Sequence, residues 1–191
     1  MTIAKIRHNN RQLISVLVLF FLAVFYVSNL SAASGRDPYK YFFDETWGDF
    51  TEELKKAKAE GKKGVLLFFE LDECPFCHRM KETVLNQPKV QEYFKKHFLN
   101  FSVDIEGDVE IVNFKGESKT QKDFAFKQNR VRATPVFAFY DLTGKKVVRY
   151  TGATSSVEEF MLLGEYFVSR SYEKMRFTKY KRLKKTAAES S

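Results

Sequence analysis

The two cysteines of the sequence, Cys74 and Cys77, are its clearest candidates for chemistry, because they lie three positions apart in the segment Cys-Pro-Phe-Cys. In a helix, residues at this spacing lie on the same side. One sulfur can then attack a disulfide of another molecule as a thiolate, and the second can release the product. A disulfide between the two would close a loop of only four residues. Such a short loop adds only about 2 kcal/mol of stability, which favours a redox role over a structural one.

The cysteines stand between a predicted strand and a predicted helix. Residues 64–71 are an apolar run without alternation, which is typical of a central strand covered on both faces. Apolar residues recur at helical spacing after Cys74, and Pro75 suits the first position of a helix. The free N–H groups and the dipole at a helix N-terminus stabilise a thiolate. The sequence therefore predicts that Cys74 is the attacking sulfur.

Two alternatives use the same cysteines. Cys74, Cys77 and His78 fit the attachment motif of c-type haem, and an exported protein is where such a haem occurs. The α/β pattern around the motif argues against that reading. Zinc bound by the same three residues together with His97 is a weaker hypothesis, because the chain has no second metal-spaced pair.

The order of the predicted elements indicates an α/β fold. A parallel pair of strands joined by a crossover helix and followed by a hairpin gives a mixed sheet of four to five strands, with helices on both faces. Residues 106–119 carry several charges and two glycines, and we interpret them as a loop or insertion. The predicted helices cover about 50–60, 74–94 with an interruption at Pro88, 120–129 and 156–168, and the predicted strands cover 64–71, 99–105, 135–140 and 146–150.

Composition and charge exclude several classes of protein. The chain has 191 residues, of which 44% are hydrophobic, with 20 Phe and 9 Tyr, so it is not disordered or of low complexity and should form a large aromatic core. The formal net charge is +8, but residues 1–33 carry three basic residues and no acid, and residues 170–191 carry eight basic and two acidic residues. The remaining body is near neutral, and we expect no nucleic-acid partner.

The N-terminus resembles an export signal. A cationic stretch ends at Arg11, residues 13–27 are apolar, and small residues at 31–33 suit cleavage before Ser34. As a helix the apolar run is about 22 Å long, short of the roughly 30 Å of a bilayer core. We expect residues 1–33 to be a signal peptide or a membrane anchor, 34–169 a single globular domain, and 170–191 a basic tail.

The arrangement of motifs resembles the thioredoxin superfamily. A Cys-x-x-Cys at a strand-to-helix turn is followed by a strand, a helix and the pair Thr134-Pro135, which opens a hairpin. Within the superfamily, the sequence is similar to SoxW-like periplasmic thioredoxins, through FFELDECPFCHRM, VDIEGDVEIVNFKGES and VRATPVFAFYDLTGKKVVRYTG, over residues 45–168. We therefore expect residues 34–169 to be a thioredoxin-like domain. The resemblance implies a thioredoxin fold in which Cys74 is the nucleophile, Cys77 the resolving thiol, and Pro135 a cis-proline beside a Cys74–Cys77 disulfide.

One position departs from the pattern of the superfamily. Thioredoxins place a buried aspartate six residues before the first cysteine, as proton acceptor for the resolving thiol, and this chain has Phe68 there. Alternate residues of a strand share a face, so Glu70 points the same way and can substitute. The alternative is that Glu70 is a solvated acid at the end of the strand.

These features predict an exported thiol:disulfide oxidoreductase without a cofactor. The resemblance implies a periplasmic reductase of disulfides in envelope proteins, regenerated by a membrane thiol donor. An alternative is a low-turnover binding module at the membrane, which recruits a partner through residues 106–119 and the tail. The tail itself is expected either to contact anionic lipid or acidic protein or to be a frayed, solvated helix end.

Overall fold

A central sheet organises the fold in the computed structural model, which describes residues 35–190. In chain order the helices are α1 (Pro38–Tyr41), α2 (Phe50–Ala59), α3 (Pro75–Met80), α4 (Pro88–His97), α5 (Gln121–Asp123), α6 (Val157–Val168) and α7 (Phe177–Glu189). The strands are β1 (Gly64–Glu70), β2 (Phe98–Asp104), β3 (Glu110–Val112), β4 (Ser118–Thr120), β5 (Val136–Asp141) and β6 (Lys146–Thr151). Helices α3 and α5 continue into single π-helical turns, at Lys81–Leu85 and Phe124–Gln128.

The main sheet has the strand order β2-β1-β5-β6. Strand β1 is parallel to β2 and antiparallel to β5, and β5 and β6 form the predicted hairpin. A crossover through α3 and α4 connects the two parallel strands, as a parallel pair requires. The predicted α/β class, the mixed sheet of four strands and the helices on both faces are confirmed.

Strand β1 is buried at every position, because helices cover both of its faces. Leu66 and Phe68 point into a cluster that contains both cysteines and apolar side chains of α4 and α6. Leu67 and Phe69 point into a second cluster, formed with α2 and with the π-helical turn that follows α5. These two aromatic cores explain why the strand is apolar without alternation.

The outer edge of β2 is covered by the segment that follows α1. The backbone N–H of Asp44 donates to the carbonyl of Asn100 (2.7 Å), and the Asp44 carboxylate accepts the N–H of Asn100 (2.8 Å). Further along the strand, the side-chain oxygen of Gln121 accepts the N–H of Asp104 (2.7 Å). At Asn100 and Asp104, outward-facing backbone groups of β2 are thus satisfied by other segments of the same chain.

The expectation that residues 106–119 form only a loop is wrong. Strands β3 and β4 pair as a short antiparallel hairpin, with Ile111 opposite Lys119. The side-chain oxygen of Asn113 accepts the backbone N–H of Lys115 (2.8 Å) and of Glu117 (3.1 Å), which closes the turn. Ile111 is buried in the second core, so the hairpin packs against the rest of the domain.

The basic tail is helical over most of its length, so the expectation of a frayed end is wrong, although most of its side chains are exposed to solvent as expected. Helix α7 packs against α6 through Tyr180, whose ring lies 5.3 Å from that of Tyr166 and which is only 7% exposed. The Tyr166 hydroxyl donates to the carbonyl of Met175 (2.5 Å).

No helix within residues 35–190 is long and apolar enough to cross a membrane, and the predicted signal peptide or anchor at 1–33 lies outside the described residues.

The tail is held to α6 by an ion pair that should make stability depend on pH. Burial alone would raise the pKa of Glu159, but hydrogen bonds from Lys181 and Ser155 outweigh it and lower the pKa to about 2. A carboxyl with a lowered pKa contributes stability that is present above its unfolded value of 4.5 and is lost as the pH falls towards 2. We expect the stability difference between the wild type and Glu159→Gln to shrink between pH 4.5 and pH 2, as measured by urea unfolding. A difference that stays constant over this range would contradict the assignment.

Candidate active site

The two cysteines lie at the N-terminus of α3, directly after the loop that leaves β1. Cys74 is the N-cap residue of this helix, and Pro75 occupies its first turn. The cysteines are joined by a disulfide, with their Cα atoms 5.2 Å apart. The backbone N–H of Cys77 lies 3.1 Å from Cys74 Sγ and donates to it. A negative charge that develops on this sulfur therefore meets an N–H donor and the positive end of a helix.

The two cysteine residues differ in their exposure to solvent. Cys77 is fully buried, whereas Cys74 retains 6% of its surface and lies beside Phe76, whose side chain is 58% exposed. The Arg79 guanidinium stands 5.7 Å from the centre of the Phe76 ring. Of the two cysteines, only Cys74 thus keeps any exposed surface, and an exposed aromatic ring and a cation follow it on the same helix.

Pro135 lies at the same end of the sheet as the cysteines. Val136 pairs with Phe69, so Pro135 stands across from the end of β1, and the Thr134–Pro135 peptide bond is cis. The Pro135 carbonyl accepts the backbone N–H of Gly152 (2.8 Å), the first residue of the loop 152–156 between β6 and α6.

The loop 152–156 also contacts α3. Arg79 Nη2 donates to the Thr154 carbonyl (3.4 Å). The Thr154 hydroxyl donates to the Ser156 carbonyl (3.1 Å) and lies 3.6 Å from the sulfur of Met80. Thr154 is only 2% exposed. Pro135 and the cysteine helix are therefore connected to each other through this one loop.

Glu70 is a buried acid, 5% exposed, so the alternative that it is solvated is wrong. Its Oε2 atom lies 2.6 Å from Nζ of Lys81, one helical turn beyond Cys77. Ser102 Oγ and the Tyr39 hydroxyl donate to the other carboxylate oxygen, the latter at 3.4 Å. Because Glu70 shares a face of β1 with Phe68, the carboxylate lies on the side of the sheet that packs against the cysteines.

Phe68 occupies the position where thioredoxins have an aspartate, and it is part of an aromatic stack. Its ring centre lies 5.8 Å from that of Phe43 and 4.9 Å from that of Phe137, and it is fully buried. An ionised side chain between these rings would have no partner. The acid therefore stands two residues further on, where β1 ends and polar neighbours are present.

Lys81 and Tyr39 complete the polar cluster, and sequence reasoning did not find them. Lys81 Nζ donates to the Tyr39 hydroxyl (2.7 Å) as well as to Glu70. Burial alone would lower the pKa of Lys81, but the hydrogen bonds with Glu70 and Tyr39 outweigh it and raise the pKa. The sequence does indicate that Lys81 is unusual, because it is a lysine on the apolar face of the predicted helix. Tyr39 comes from α1 and could not be placed beside it from the sequence.

The zinc alternative has no support in the geometry. His97 lies at the C-terminal end of α4, where its ring packs 4.7 Å from that of Tyr93. His78 donates through Nε2 to the carbonyl of Asp72 (2.6 Å). Residues 35–190 contain no group of three His, Cys, Asp or Glu side chains arranged to hold a metal ion.

The family model of the thioredoxin-like domain matches residues 50–167, which is more than half of the chain. The chain belongs to the thioredoxin-like family. The match begins with α2 and ends within α6, so β1, the cysteine helix, Pro135 and the loop 152–156 all lie inside it. Helix α7 lies outside it.

Several known proteins are similar to this chain over part of its length. The disulfide bond reductase DsbH of Chlamydia pneumoniae is 29% identical over 104 residues, which are 54% of this chain and 60% of that protein. A thioredoxin-fold protein from Helicobacter pylori has a TM-score of 0.56 and 25% identity, covering 69% of this chain and 88% of that one. A proposed disulphide-isomerase from Bacteroides thetaiotaomicron has a TM-score of 0.51 and 27% identity, covering 66% and 91%.

Removing the charge of Lys81 should be strongly destabilising. Lys81→Met leaves the Glu70 carboxylate buried without its cation, which should lower the free energy of unfolding by about 3–5 kcal/mol. The double variant Glu70→Leu/Lys81→Met removes both charges and should recover much of this loss. Urea unfolding at neutral pH measures both.

Lys127→Met is the matched control for this prediction. It breaks the exposed ion pair between Lys127 and Asp123 (2.7 Å) and should change stability by less than about 0.5 kcal/mol. An effect of Lys81→Met no larger than that of Lys127→Met would show that the Glu70 carboxylate does not depend on its cation.

Proposed function

We propose that this protein is an exported thiol:disulfide oxidoreductase that reduces disulfides of envelope proteins with the dithiol of Cys74 and Cys77. The observation that carries the proposal is the position of Cys74 as N-cap of α3, where its sulfur accepts the N–H of Cys77. This donor and the helix dipole favour the thiolate, which is the reactive form of a cysteine. Membership of the thioredoxin-like family supports the same chemistry.

The first step is attack by Cys74 on the partner. In the dithiol form, the Cys74 thiolate attacks one sulfur of the partner disulfide and forms a mixed disulfide. The bond between the two partner sulfurs breaks, and the second partner sulfur leaves as a thiolate. The exposed ring of Phe76 and the guanidinium of Arg79 form the surface on which the partner docks.

The second step releases the reduced partner. Cys77 loses its proton and attacks the sulfur of Cys74, so the Cys74–Cys77 disulfide forms and the partner leaves with both sulfurs reduced. Two electrons pass from the dithiol to the partner disulfide. We assign Glu70 as the group that accepts the Cys77 proton, because it is a buried carboxylate on the cysteine-facing side of β1. Pro135 is assigned to the partner-facing edge of the site.

The location and the electron donor follow from the resemblance to SoxW-like periplasmic thioredoxins and from the predicted export signal. We infer that the domain works in the periplasm, cleaved or anchored in the inner membrane, and that a membrane thiol donor returns the disulfide to the dithiol. The name of the Chlamydia pneumoniae relative, a disulfide bond reductase, supports the reducing direction. Exposed cations on α7, such as Lys179 and Arg182, support contact with anionic lipid headgroups.

Reduction of insulin disulfides tests the function. The wild type with a chemical reductant should precipitate insulin, and Cys74→Ser should lose this activity because no attacking thiolate remains. Cys77→Ser should accumulate a mixed disulfide between Cys74 and the partner, visible by non-reducing electrophoresis and identified by mass spectrometry.

The reduction potential of the cysteine pair tests the direction. A value near that of thioredoxin, about −270 mV, is expected, whereas a value near −120 mV would make the protein an oxidase. An inactive wild type that still binds partner proteins would instead indicate a binding module. A covalently bound haem with a Soret band would indicate the cytochrome alternative.

Replacing Glu70 tests its role as proton acceptor. Glu70→Gln should slow release of the partner from the mixed disulfide by roughly 100-fold at neutral pH, because a neutral amide does not accept the Cys77 proton. The rate should recover as the pH is raised towards the pKa of a free thiol, because Cys77 then ionises without a proton acceptor. Glu53→Gln removes a second buried carboxyl, which lies on α2, and should leave the rate unchanged. Equal rates for the wild type and Glu70→Gln would remove Glu70 from the mechanism.

A further inference from the structure

Helix α7 lies beyond the residues that match the thioredoxin-like family, but a buried carboxylate connects it to the body of the domain. Lys181 Nζ lies 2.5 Å from Glu159 Oε1 in the first turn of α6. Glu159 is 7% exposed. A carboxylate with so little access to water stays ionised only where charge or hydrogen bonds compensate for the lost hydration. Lys181 provides that charge from outside the family domain.

The same carboxylate holds the loop 152–156. Glu159 Oε2 accepts both the backbone N–H of Ser155 (2.8 Å) and the Ser155 hydroxyl (2.5 Å). The Tyr150 hydroxyl, from the end of β6, donates to the other oxygen at 3.4 Å. The orientation of the Glu159 carboxylate therefore decides where Ser155 lies.

This loop is the one that contacts both sides of the candidate active site. Gly152 donates to the carbonyl of Pro135 (2.8 Å), and Thr154 contacts Arg79 and Met80 on the cysteine helix. A continuous series of contacts thus runs from Lys181 through Glu159 and the loop to the groups around the dithiol.

We propose that Lys181 is a positioning residue for the disulfide exchange. It orients Glu159, Glu159 fixes Ser155, and the loop 152–156 then holds Pro135 and the cysteine helix in the arrangement that receives a partner disulfide. This inference rests on the proposed function. Without Lys181, the carboxylate turns towards water and releases Ser155, and the surface that docks the partner loses its fixed geometry.

A second ion pair between the same helices separates this role from the attachment of α7. Lys184 Nζ lies 3.1 Å from Glu165 Oε2, in a more exposed position nearly two turns further along α6 than Glu159. No hydrogen bond is observed between Glu165 and the loop 152–156 in the described residues. Loss of Lys184 weakens the contact between α7 and α6 without touching the loop.

The experiment compares Lys181→Met, Lys181→Arg and Lys184→Met in the full chain. Lys181→Met should lower kcat/KM for insulin reduction roughly tenfold, mainly through KM, because a docking surface displaced by a fraction of an ångström binds its partner less well. Lys181→Arg keeps the charge and should retain activity within about twofold of the wild type. Lys184→Met should also stay within about twofold, since Glu159 keeps its partner.

Amide hydrogen exchange gives a second readout that does not depend on activity. Lys181→Met should speed exchange of the Ser155 and Gly152 amides roughly tenfold, because it releases the loop 152–156. Lys184→Met should leave the exchange of both amides unchanged. Equal losses of activity and protection in the two methionine variants would show that Lys181 merely attaches α7, and unchanged exchange at Ser155 would overturn the proposal. An inactive wild type with the expected exchange pattern would overturn the proposed function and leave the contacts of Lys181 established.

Discussion

Burial of β1 on both faces is the constraint on which the rest of this structure depends. Its apolar side chains fill two aromatic cores, so the strand has no room for a polar group before its last position. Chemistry becomes possible where the strand ends and α3 begins, because the first turn of a helix offers a backbone N–H and the positive end of the dipole to a capping side chain. Cys74 stands at this junction as the helix cap. The apolar strand and the position of Cys74 are therefore two consequences of one arrangement.

The same constraint explains the departure from the thioredoxin pattern before the cysteines. Phe68 joins a stack with Phe43 and Phe137, which enlarges the aromatic core and excludes a charge from its centre. Glu70, at the last position of the strand, has access to cationic and hydroxyl neighbours. A buried carboxylate on this face is thus compatible with the core only at the strand end.

Most of the fold was predictable from the sequence, because its strong periodic signals are local. The apolar run of β1, the capped helix α2 and the turn between β5 and β6 each depend on neighbouring residues, and the structure has all three. The hairpin β3–β4 was missed because its strands have three residues each, too short for alternation to appear. Side-chain pairings from distant segments were also missed.

For the site, the sequence indicated the cysteines and the acid but not their supporting residues. The spacing of Cys74 and Cys77 is a local pattern, and Glu70 follows from strand alternation. Lys81 donates to Tyr39, which is 42 residues away in the chain, and Lys181 reaches Glu159 across 22 residues. Pairings over such separations are set by tertiary packing, which a single sequence does not encode in any local pattern.

The covering of β2 by Asp44 and Gln121 has a consequence for behaviour at high concentration. An open strand edge is a template for intermolecular pairing and for aggregation. Here the carboxylate of Asp44 occupies the N–H of Asn100, and an amide oxygen occupies that of Asp104. A second molecule would have to displace these groups before it could extend the sheet. These contacts therefore hinder fibril formation through the outer edge of β2 in this aromatic-rich domain.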